Sequence, residues 1–252
     1  SKYDYRFKLL NISTKTKNMS VEIKAFIRPA PVVFPNIKEL KKIVKNKEFK
    51  SIKALIIGGS RGLGSLTAKL IAAGGGEVII TYNDGRNEAL KLIKEIKEFG
   101  SKGRIIQYNI QEEKIMKTFK TKINQCYYYA TPRIFGKQKK NFDKLMFKKF
   151  LLYYVIKFEK IIKNINKNYK NCSFFFPSTI SISEPLEEII EYTNAKLEAE
   201  IMITKLTNQL RDKVLIERYP RLLTDQTNTI LNINTIDSSK LVVKTIRNLI
   251  KL

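Results

Sequence analysis

The sequence predicts an α/β fold: a doubly wound parallel sheet flanked by helices, with a short pair of strands ahead of it. From about residue 50 onward, short apolar runs alternate with longer amphipathic stretches. The runs are apolar throughout, as in "ALII", "EVIITY" and "CSFFF", which is typical of strands buried on both faces. Strands that alternate with helices form parallel sheets through right-handed crossovers, and these place helices on both faces. The 252 residues are enough to bury the core of such a domain.

Residues 1–35 form an extension with a different pattern. Apolar and polar residues alternate in "YDYRFKLL" and "MSVEIKAFIRP", which predicts two strands, and three prolines in "RPAPVVFP" then predict an extended linker. We expect 1–35 to be a strand pair added to the main domain, or the tail of a preceding domain, and 36–252 to be the main domain. The chain starts at Ser1 rather than at Met, so we expect it to be a piece of a longer polypeptide.

The elements of the main domain follow in order. A short amphipathic helix is predicted in "NIKELKKIVKN", with Asn36 as its N-terminal cap. Strands are predicted at 53–57, 77–82, 104–108, 125–130, 172–177 and 214–218. Helices are predicted at 63–74, 86–99, 111–120, 140–166, 186–211 and 238–250.

Composition excludes several kinds of chemistry. The chain contains no histidine, which excludes Ser-His-Asp and Cys-His mechanisms and leaves Tyr, Lys, Ser, Thr or carboxylates for catalysis. Cys126 and Cys172 lie inside apolar runs, and we expect buried, reduced thiols of a cytoplasmic protein; a secretory disulfide is the alternative. The apolar runs are too short to cross a bilayer, and the N-terminus lacks the pattern of an export signal.

The formal net charge of +25 raises the question of a charged partner. Lysines bind the phosphates of nucleic acids, and they would equally suit an acidic protein or a phosphorylated carrier. A general enrichment in Lys, Ile and Asn explains the charge without any partner. The lysines are spread over every predicted helix, with a denser stretch in "GKQKKNFDKLMFKK". No zinc spacing, helix-turn-helix or aromatic RNA-binding motif accompanies them, so nucleic acid is not favoured.

The stretch "IIGGSRGLG" at 56–64 lies between the first predicted strand of the main domain and a predicted helix. Glycine lets a pyrophosphate, and the helix itself, approach the backbone closely, and the helix N-terminus attracts negative charge. The spacing Gly58-x-x-x-Gly62-x-Gly64 in this context predicts the dinucleotide-binding turn of a Rossmann-type sheet. The alternative is a glycine corner without a ligand.

The end of the second strand of the main domain bears on the choice of nucleotide. A carboxylate at this place binds the ribose hydroxyls of NAD, whereas arginine suits the 2′-phosphate of NADP through forked hydrogen bonds. The strand tip at Asn83 is uncharged, and Arg61 and Arg86 lie near it, so NADP is favoured over NAD. Asp84 would reverse this preference if the strand ran two residues longer.

A second group of polar residues lies far downstream. Tyr192 and Lys196 in "YTNAK" are four residues apart and share one face of a predicted helix. A nearby ammonium lowers the pKa of a tyrosine and makes the phenol a usable proton donor or acceptor. Taken alone, the pair is equally consistent with a solvated helix face. Ser178 and Thr179 follow the predicted strand "CSFFFP", where a hydroxyl points into the ligand crevice of a parallel sheet.

In combination, these motifs resemble the short-chain dehydrogenase/reductase family over about residues 50–235. The family's Thr-Gly-x-x-x-Gly-x-Gly turn is matched by 57–64, with Ile57 in place of the leading Thr. Its Tyr-x-x-x-Lys pair is matched by Tyr192 and Lys196. Its active-site Ser, thirteen positions before the Tyr, falls on Thr179, with Ser178 beside it.

The resemblance implies hydride transfer between nicotinamide C4 and a carbonyl carbon. Tyr192 would exchange the proton on oxygen, Thr179 or Ser178 would hold that oxygen, and Lys196 would bind the nicotinamide ribose and lower the pKa of Tyr192. No metal is implied. The implied cofactor-binding residues are Gly58, Ser60, Arg61, Gly62, Leu63, Gly64, Asn83, Arg86, Asn109, Ala130, Lys196, Pro220 and Thr224.

The resemblance also bears on partners. The N-terminal strand pair resembles the last strands of a hot-dog-fold thioester dehydratase, which suggests a domain of a multi-enzyme chain. We therefore expect a small-molecule or carrier-bound carbonyl substrate, such as a ketoacyl thioester, and an acidic carrier protein as partner. Helices of this family often pair into homodimers, and we expect the same here.

Several positions depart from the family pattern. Of the family's Asn-Asn-Ala-Gly, "YYATPR" retains only Ala130, and no Asn stands at 152–154, where a helical Asn often completes the site. Asn109 stands where an Asp usually contacts adenine, no glycine follows Pro220, and the final glycine-rich strand is absent. Three hypotheses stay open: an NADP-dependent carbonyl reductase, a catalytically silent dinucleotide-binding scaffold domain and, least favoured, a basic nucleic-acid-binding module.

Overall fold

A computed structural model describes residues 1–6, 8–27, 30, 32–111, 122–134, 141–224, 227 and 236–252. In this part of the chain, the smaller of two sheets has three antiparallel strands in the order β1 (Lys2–Asp4), β2 (Leu9–Lys15) and β3 (Ser20–Phe26). The prediction of two strands is therefore wrong. The stretch "YDYRFKLL" turns at Tyr5 and Arg6, where the Asp4 carboxylate accepts a hydrogen bond from the Arg6 backbone N (3.0 Å).

The larger sheet confirms the predicted fold class. Its strands are β4 (Lys53–Ile57), β5 (Glu77–Tyr82), β6 (Gly103–Gln107), β7 (Gln125–Tyr128), β8 (Ser173–Thr179) and β9 (Val214–Tyr219). They pair in the order β6-β5-β4-β7-β8-β9, and every pair is parallel. The order reverses between β4 and β7, and such a reversal opens a crevice at the carboxyl ends of the strands.

Helices flank this sheet, and most lie where the sequence predicts them. They are α1 (Ile37–Leu40), α2 (Gly62–Ala73), α3 (Arg86–Glu98), α4 (Lys144–Leu151), α5 (Phe158–Asn168), α6 (Ile190–Thr204), α7 (Asn208–Arg211) and α8 (Ser238–Ile250). Asn36 caps α1 as predicted, because its side chain accepts from the Glu39 backbone N (3.0 Å). The helix predicted over 111–120 lies, beyond Gln111, outside the described residues.

Two predicted helices are each divided. A π-helical segment, Leu152–Lys157, joins α4 to α5 inside the stretch predicted as one helix at 140–166. Thr207 has extended backbone angles (φ −57°, ψ 148°), which separates α6 from α7 within the predicted helix at 186–211. Neither break coincides with a proline or glycine, the residues that usually announce one.

A hydrophobic core lies on each face of the larger sheet. One core packs α1, α2, α3 and α8 against residues such as Ile56 and Ile80. The other packs α4, α5 and α6 against Ile57 and Phe176 and contains Cys126 and Cys172, which are buried free thiols as predicted. In the described ranges no helix combines the length and apolar character needed to cross a membrane.

Candidate functional site

A cavity of about 630 Å³ opens at the carboxyl edge of the larger sheet. Its walls come from the glycine turn after β4, the ends of the other parallel strands, and the first turns of α6. The lining residues, which run from Ile57 to Thr227, are far apart in sequence and lie together here because parallel strands end at one edge.

The glycine turn closes one end of the cavity. Gly58 has φ +76°, and a Cβ at this residue would lie 2.9 Å from the backbone N of Ala130, which follows β7. A Cβ at Gly64 would lie 2.9 Å from the Cα of Gly59 and would collide with the Gly58 carbonyl. The turn is fixed to β5, because Gly58 N donates to Thr81 Oγ1 (3.1 Å). Glycine is therefore required for this close packing at Gly58 and Gly64.

The N-terminus of α2 faces the same space. Arg61 is its N-terminal capping residue, and in the described structure no side chain caps the first turn of this 12-residue helix. Gly62, Leu63 and Gly64 all line the cavity, so the unbonded N–H groups and the positive end of the helix dipole meet there. Such a terminus accepts an anion such as a phosphate.

The glycine turn and the end of β5 contain the charged residues that bear on the choice between NADP and NAD. β5 ends at Tyr82, as predicted, and the Asn83 side-chain amide donates to Asp84 Oδ2 (2.9 Å). Arg61 and Asp84 are exposed and line the cavity. Arg86 is the exposed first residue of α3 and does not line the cavity, so its position does not support the predicted contact with the cofactor.

Tyr192 and Thr179 meet in the wall of the same cavity. Thr179 is the last residue of β8, and its Oγ1 accepts from the Ser181 backbone N (3.2 Å). Burial raises the pKa of Tyr192 to about 12, and a hydrogen bond with Thr179 offsets part of that rise. Ser178 Oγ donates instead to Glu200 Oε1 (2.5 Å). Of the two predicted hydroxyls, Thr179 is the one bonded to Tyr192.

Lys196 lies beneath Tyr192, and its side chain is enclosed by protein. The residue is 4% exposed, and its Nζ donates to the Pro177 carbonyl (2.5 Å). Burial lowers the pKa of Lys196 to about 7, against a smaller opposing effect of the Glu200 carboxylate. The expected lowering of the Tyr192 pKa by Lys196 is not found. Desolvation dominates at Tyr192, and the Lys196 Nζ lies 5.7 Å from the centroid of its ring.

The other predicted cofactor residues line the cavity as well. Ser60 belongs to the glycine turn, and Ala130 follows β7. Asn109 follows β6, where its Oδ1 accepts from the Gln111 backbone N (3.0 Å). Pro220 and Thr224 follow β9, and Thr224 Oγ1 lies 3.1 Å from Thr227 Oγ1. Apart from Arg86, the structure thus places every predicted site residue around one cavity.

Sequence reasoning missed two groups of residues at this site. Tyr154 lies under Lys196, and its hydroxyl is hydrogen-bonded to that of Thr131. The Glu200 carboxylate accepts a hydrogen bond from Ser178 Oγ. It also accepts a forked pair of hydrogen bonds from Arg218, with Nη2 2.7 Å from Oε2 and Nε 3.0 Å from Oε1. The spacing of four between Lys196 and Glu200 is a signal that could have identified Glu200. No comparable signal marks Tyr154, because the π-helical segment sets its direction.

Three comparisons with known proteins agree with this geometry. A sequence model described as short chain dehydrogenase matches residues 53–129, which include the glycine turn. The short-chain dehydrogenase/reductase FrzI of Cladobotryum sp. is 39% identical over 54 residues, 21% of this chain and 21% of that protein. The short chain dehydrogenase mdpC of Emericella nidulans is 38% identical over 58 residues, 23% of this chain and 22% of that protein. The matched segments thus span about a fifth of these relatives.

Solved structures share the fold over a longer stretch. A short-chain dehydrogenase from Sphingobium yanoikuyae, in complex with NADPH, has a TM-score of 0.67 at 12% identity over 79% of this chain and 85% of its own. FolM alternative dihydrofolate reductase 1 from Brucella suis, in complex with NADP, has a TM-score of 0.66 at 13% identity over 80% of this chain and 89% of its own. The sequence match to the short chain dehydrogenase model thus covers residues 53–129, and the solved structures show that the chain shares their fold.

Proposed function

We propose that this chain is an NADP(H)-dependent oxidoreductase that reduces a carbonyl group, with Tyr192 as the proton donor. The observation that carries the proposal is one cavity whose walls include both the glycine turn and the side chains of Tyr192, Thr179 and Lys196. An extended dinucleotide fits this arrangement, because its phosphates and its reactive ring must be held at two separated places.

Three features of the turn support NADP as the cofactor. Gly58 and Gly64 leave room for the pyrophosphate, the uncapped N-terminus of α2 offers N–H groups to it, and Arg61 can pair with a 2′-phosphate. The end of β5 at Tyr82 leaves Asp84 beyond the strand tip, where it is exposed. Two structural neighbours bind NADP or NADPH, which favours the same cofactor here.

The protonation states support reduction of a carbonyl over oxidation of an alcohol. When bound, NADPH supplies the hydride that reduces a carbonyl carbon. Tyr192, with a pKa of about 12, keeps its proton near neutral pH and can donate it to the developing alkoxide. Thr179, hydrogen-bonded to Tyr192, can hold the same substrate oxygen once its hydroxyl turns away from Ser181 Oγ, to which it donates in the structure (3.2 Å). Oxidation would instead need the phenolate of Tyr192, which burial disfavours.

The apolar residues of the cavity wall favour a carbonyl compound with apolar groups. Ile134, Leu186 and Ile189 line the cavity, which also has the charged residues Lys149, Glu184 and Glu188 in its walls. A ketoacyl thioester, delivered by an acidic carrier protein, meets this description and remains our proposed substrate class. We propose small aromatic and aliphatic ketones as the simplest probes of the same chemistry.

The test combines cofactor binding with turnover. We expect the protein to bind NADPH, measured by the change in nicotinamide fluorescence, and to oxidise it in the presence of a β-ketoacyl thioester or a small diketone. Tyr192→Phe should abolish turnover, because it removes the proton donor, and leave NADPH affinity within about twofold. Equal turnover by Tyr192→Phe would refute the assigned role.

Arg61 provides a separate test of cofactor choice. Arg61→Ala should weaken NADPH binding about tenfold, since a charge-assisted hydrogen bond contributes about 1.5–3 kcal/mol and this side chain is exposed. NADH binding should stay unchanged. Arg86→Ala is the matched control, because Arg86 lies outside the cavity lining. Equal effects of the two substitutions would contradict the assignment of Arg61.

One observation favours a second candidate, a dinucleotide-binding scaffold domain without catalysis. The Lys196 ammonium is enclosed and bonded to the Pro177 carbonyl, and it does not lower the pKa of Tyr192. A protein of this kind would bind NADPH with the same dependence on Arg61. It would leave every carbonyl probe unreduced, and Tyr192→Phe would then change nothing.

A further inference from the structure

The Lys196 ammonium rests on aromatic rings. Its Nζ lies 4.0 Å from the centroid of the Tyr154 ring and 4.4 Å from that of Phe176. An ammonium has three N–H donors, and in the described structure one of them is taken by the Pro177 carbonyl. The negative faces of the rings therefore provide much of the remaining stabilisation of this enclosed charge.

Tyr154 is held firmly in this position. It is 1% exposed, its ring stacks on Phe150 (centroids 5.8 Å apart, planes at 7°), and its hydroxyl is hydrogen-bonded to the Thr131 hydroxyl. Tyr154 also lies in the π-helical segment Leu152–Lys157. Such single-turn widenings of a helix are frequent at functional sites, and the Tyr154 ring of this one lies against Lys196.

The same ring touches the proposed proton donor. The rings of Tyr154 and Tyr192 are 5.8 Å apart and nearly perpendicular, at 81°. This is the edge-to-face arrangement that aromatic pairs prefer. Tyr154 thus contacts both members of the Tyr192–Lys196 pair.

The other groups facing Lys196 leave this role to the rings. On its own helix are Tyr192 and the Glu200 carboxylate, and Glu200 is already paired with Arg218 and bonded to Ser178 Oγ. β8 contributes the Phe176 ring and the Pro177 carbonyl. The π-helical segment contributes Tyr154. The Glu200 carboxylate is therefore neutralised mainly by the Arg218 guanidinium rather than by Lys196.

We infer that Tyr154 is a positioning residue of this site: its ring seats the Lys196 ammonium, and its bond to Thr131 fixes that ring against Tyr192. The contact between the Tyr154 ring and the Lys196 ammonium exists in the protein without any ligand, whereas its consequence for catalysis rests on the proposed function. Tyr154 does not itself reach a reacting atom in this assignment.

The test varies the electronic character of the ring without changing its shape. Phenylalanine, 4-fluorophenylalanine and pentafluorophenylalanine are introduced at position 154 in the full chain, and the Lys196 resonance is titrated by NMR with 13Cε-labelled lysine. Lys196→Arg assigns the resonance. We expect Tyr154→Phe to leave the pKa of Lys196 nearly unchanged. Stepwise fluorination should lower it, by about one pH unit for the pentafluoro ring.

Two controls make the result decisive. Phe49→Leu removes a buried ring from the core on the other face of the sheet, and it should leave the Lys196 titration unchanged. A Lys196 pKa that does not respond to fluorination, or that responds equally to Phe49→Leu, would overturn the inference. NADPH binding is measured on every variant. A protein that fails to bind NADPH refutes the proposed function, while the titration still tests the contact between the Tyr154 ring and Lys196.

If NADPH oxidation is observed, its pH profile gives a second readout. The pH at which turnover changes should move with fluorination in the same direction as the Lys196 pKa, since Tyr154 acts through Lys196. A general packing defect would lower the rate at every pH and leave the profile in place. That outcome would refute the positioning role of Tyr154.

Discussion

Lys196→Met should remove a pH dependence of stability that the wild-type protein carries. The pKa of Lys196 is about 7 in the folded chain, against an ordinary value of 10.5. Between these values the unfolded chain binds one more proton than the folded one, so the free energy of unfolding rises with pH, by up to about 1.4 kcal/mol per pH unit. From pH 7 to pH 10 the gain from this residue approaches about 4 kcal/mol in the wild type. Met fills similar space without a charge and should lack this gain.

The assay is urea unfolding of both proteins at several pH values. The stability of the wild type relative to Lys196→Met should be constant below pH 7 and should increase steadily toward pH 10. Tyr192 does not disturb this window, because its pKa is raised above its ordinary value of 10.0 and its effect begins at higher pH in both proteins. A difference that stays constant from pH 7 to pH 10 would show that the folded chain does not bury the Lys196 amino group and does not lower its pKa.

Two further substitutions test the turn and the C-terminal helix. Gly64→Ala should weaken NADPH binding at least tenfold in a fluorescence titration, because the added Cβ collides with the Gly58 carbonyl. Gly100→Ala is the control, because a Cβ at Gly100 meets no atom within 4 Å, and this substitution should lower stability only. Equal NADPH affinity of the two variants would contradict this reasoning. Arg247→Ala should lower the free energy of unfolding, measured in urea, by about 1 kcal/mol, because it removes a forked pair of hydrogen bonds with Glu48 (2.7 and 3.2 Å). The loss is modest because the pair is partly exposed. A loss no larger than that of Arg6→Ala would contradict this.

The sequence predicts the larger sheet well for a physical reason. Strands buried on both faces must be apolar along their whole length, so the apolar runs in "KALII" and "SFFF" predict strands directly. The glycine turn is equally visible, because no other residue fits where Gly58 has positive φ and Gly64 packs against Gly59. Spacing alone also places Tyr192 and Thr179 at one edge, since parallel strands end there together.

What the sequence does not predict depends on contacts between distant segments. The pKa of Tyr192 follows from burial by α4 and the π-helical segment, whereas the spacing of Lys196 suggests the opposite shift. The inward direction of Tyr154 depends on a local change of helical pitch that no proline or glycine marks. The extra N-terminal strand arises from a turn at Arg6 that interrupts an otherwise regular alternation.

The tight packing of Gly58 against Ala130 has a thermodynamic consequence. Ala130 is followed directly by Thr131, whose hydroxyl holds Tyr154, and Tyr154 in turn carries the Lys196 ammonium. If a ligand that shifts the glycine turn also moves Ala130 and Thr131, it changes the surroundings of a group whose pKa is about 7. Linkage is reciprocal, so cofactor binding that changes the proton affinity of Lys196 must itself vary in strength across that pH range. Proton uptake or release on adding NADPH, measured in buffers of different ionisation enthalpy, would give the size of this coupling.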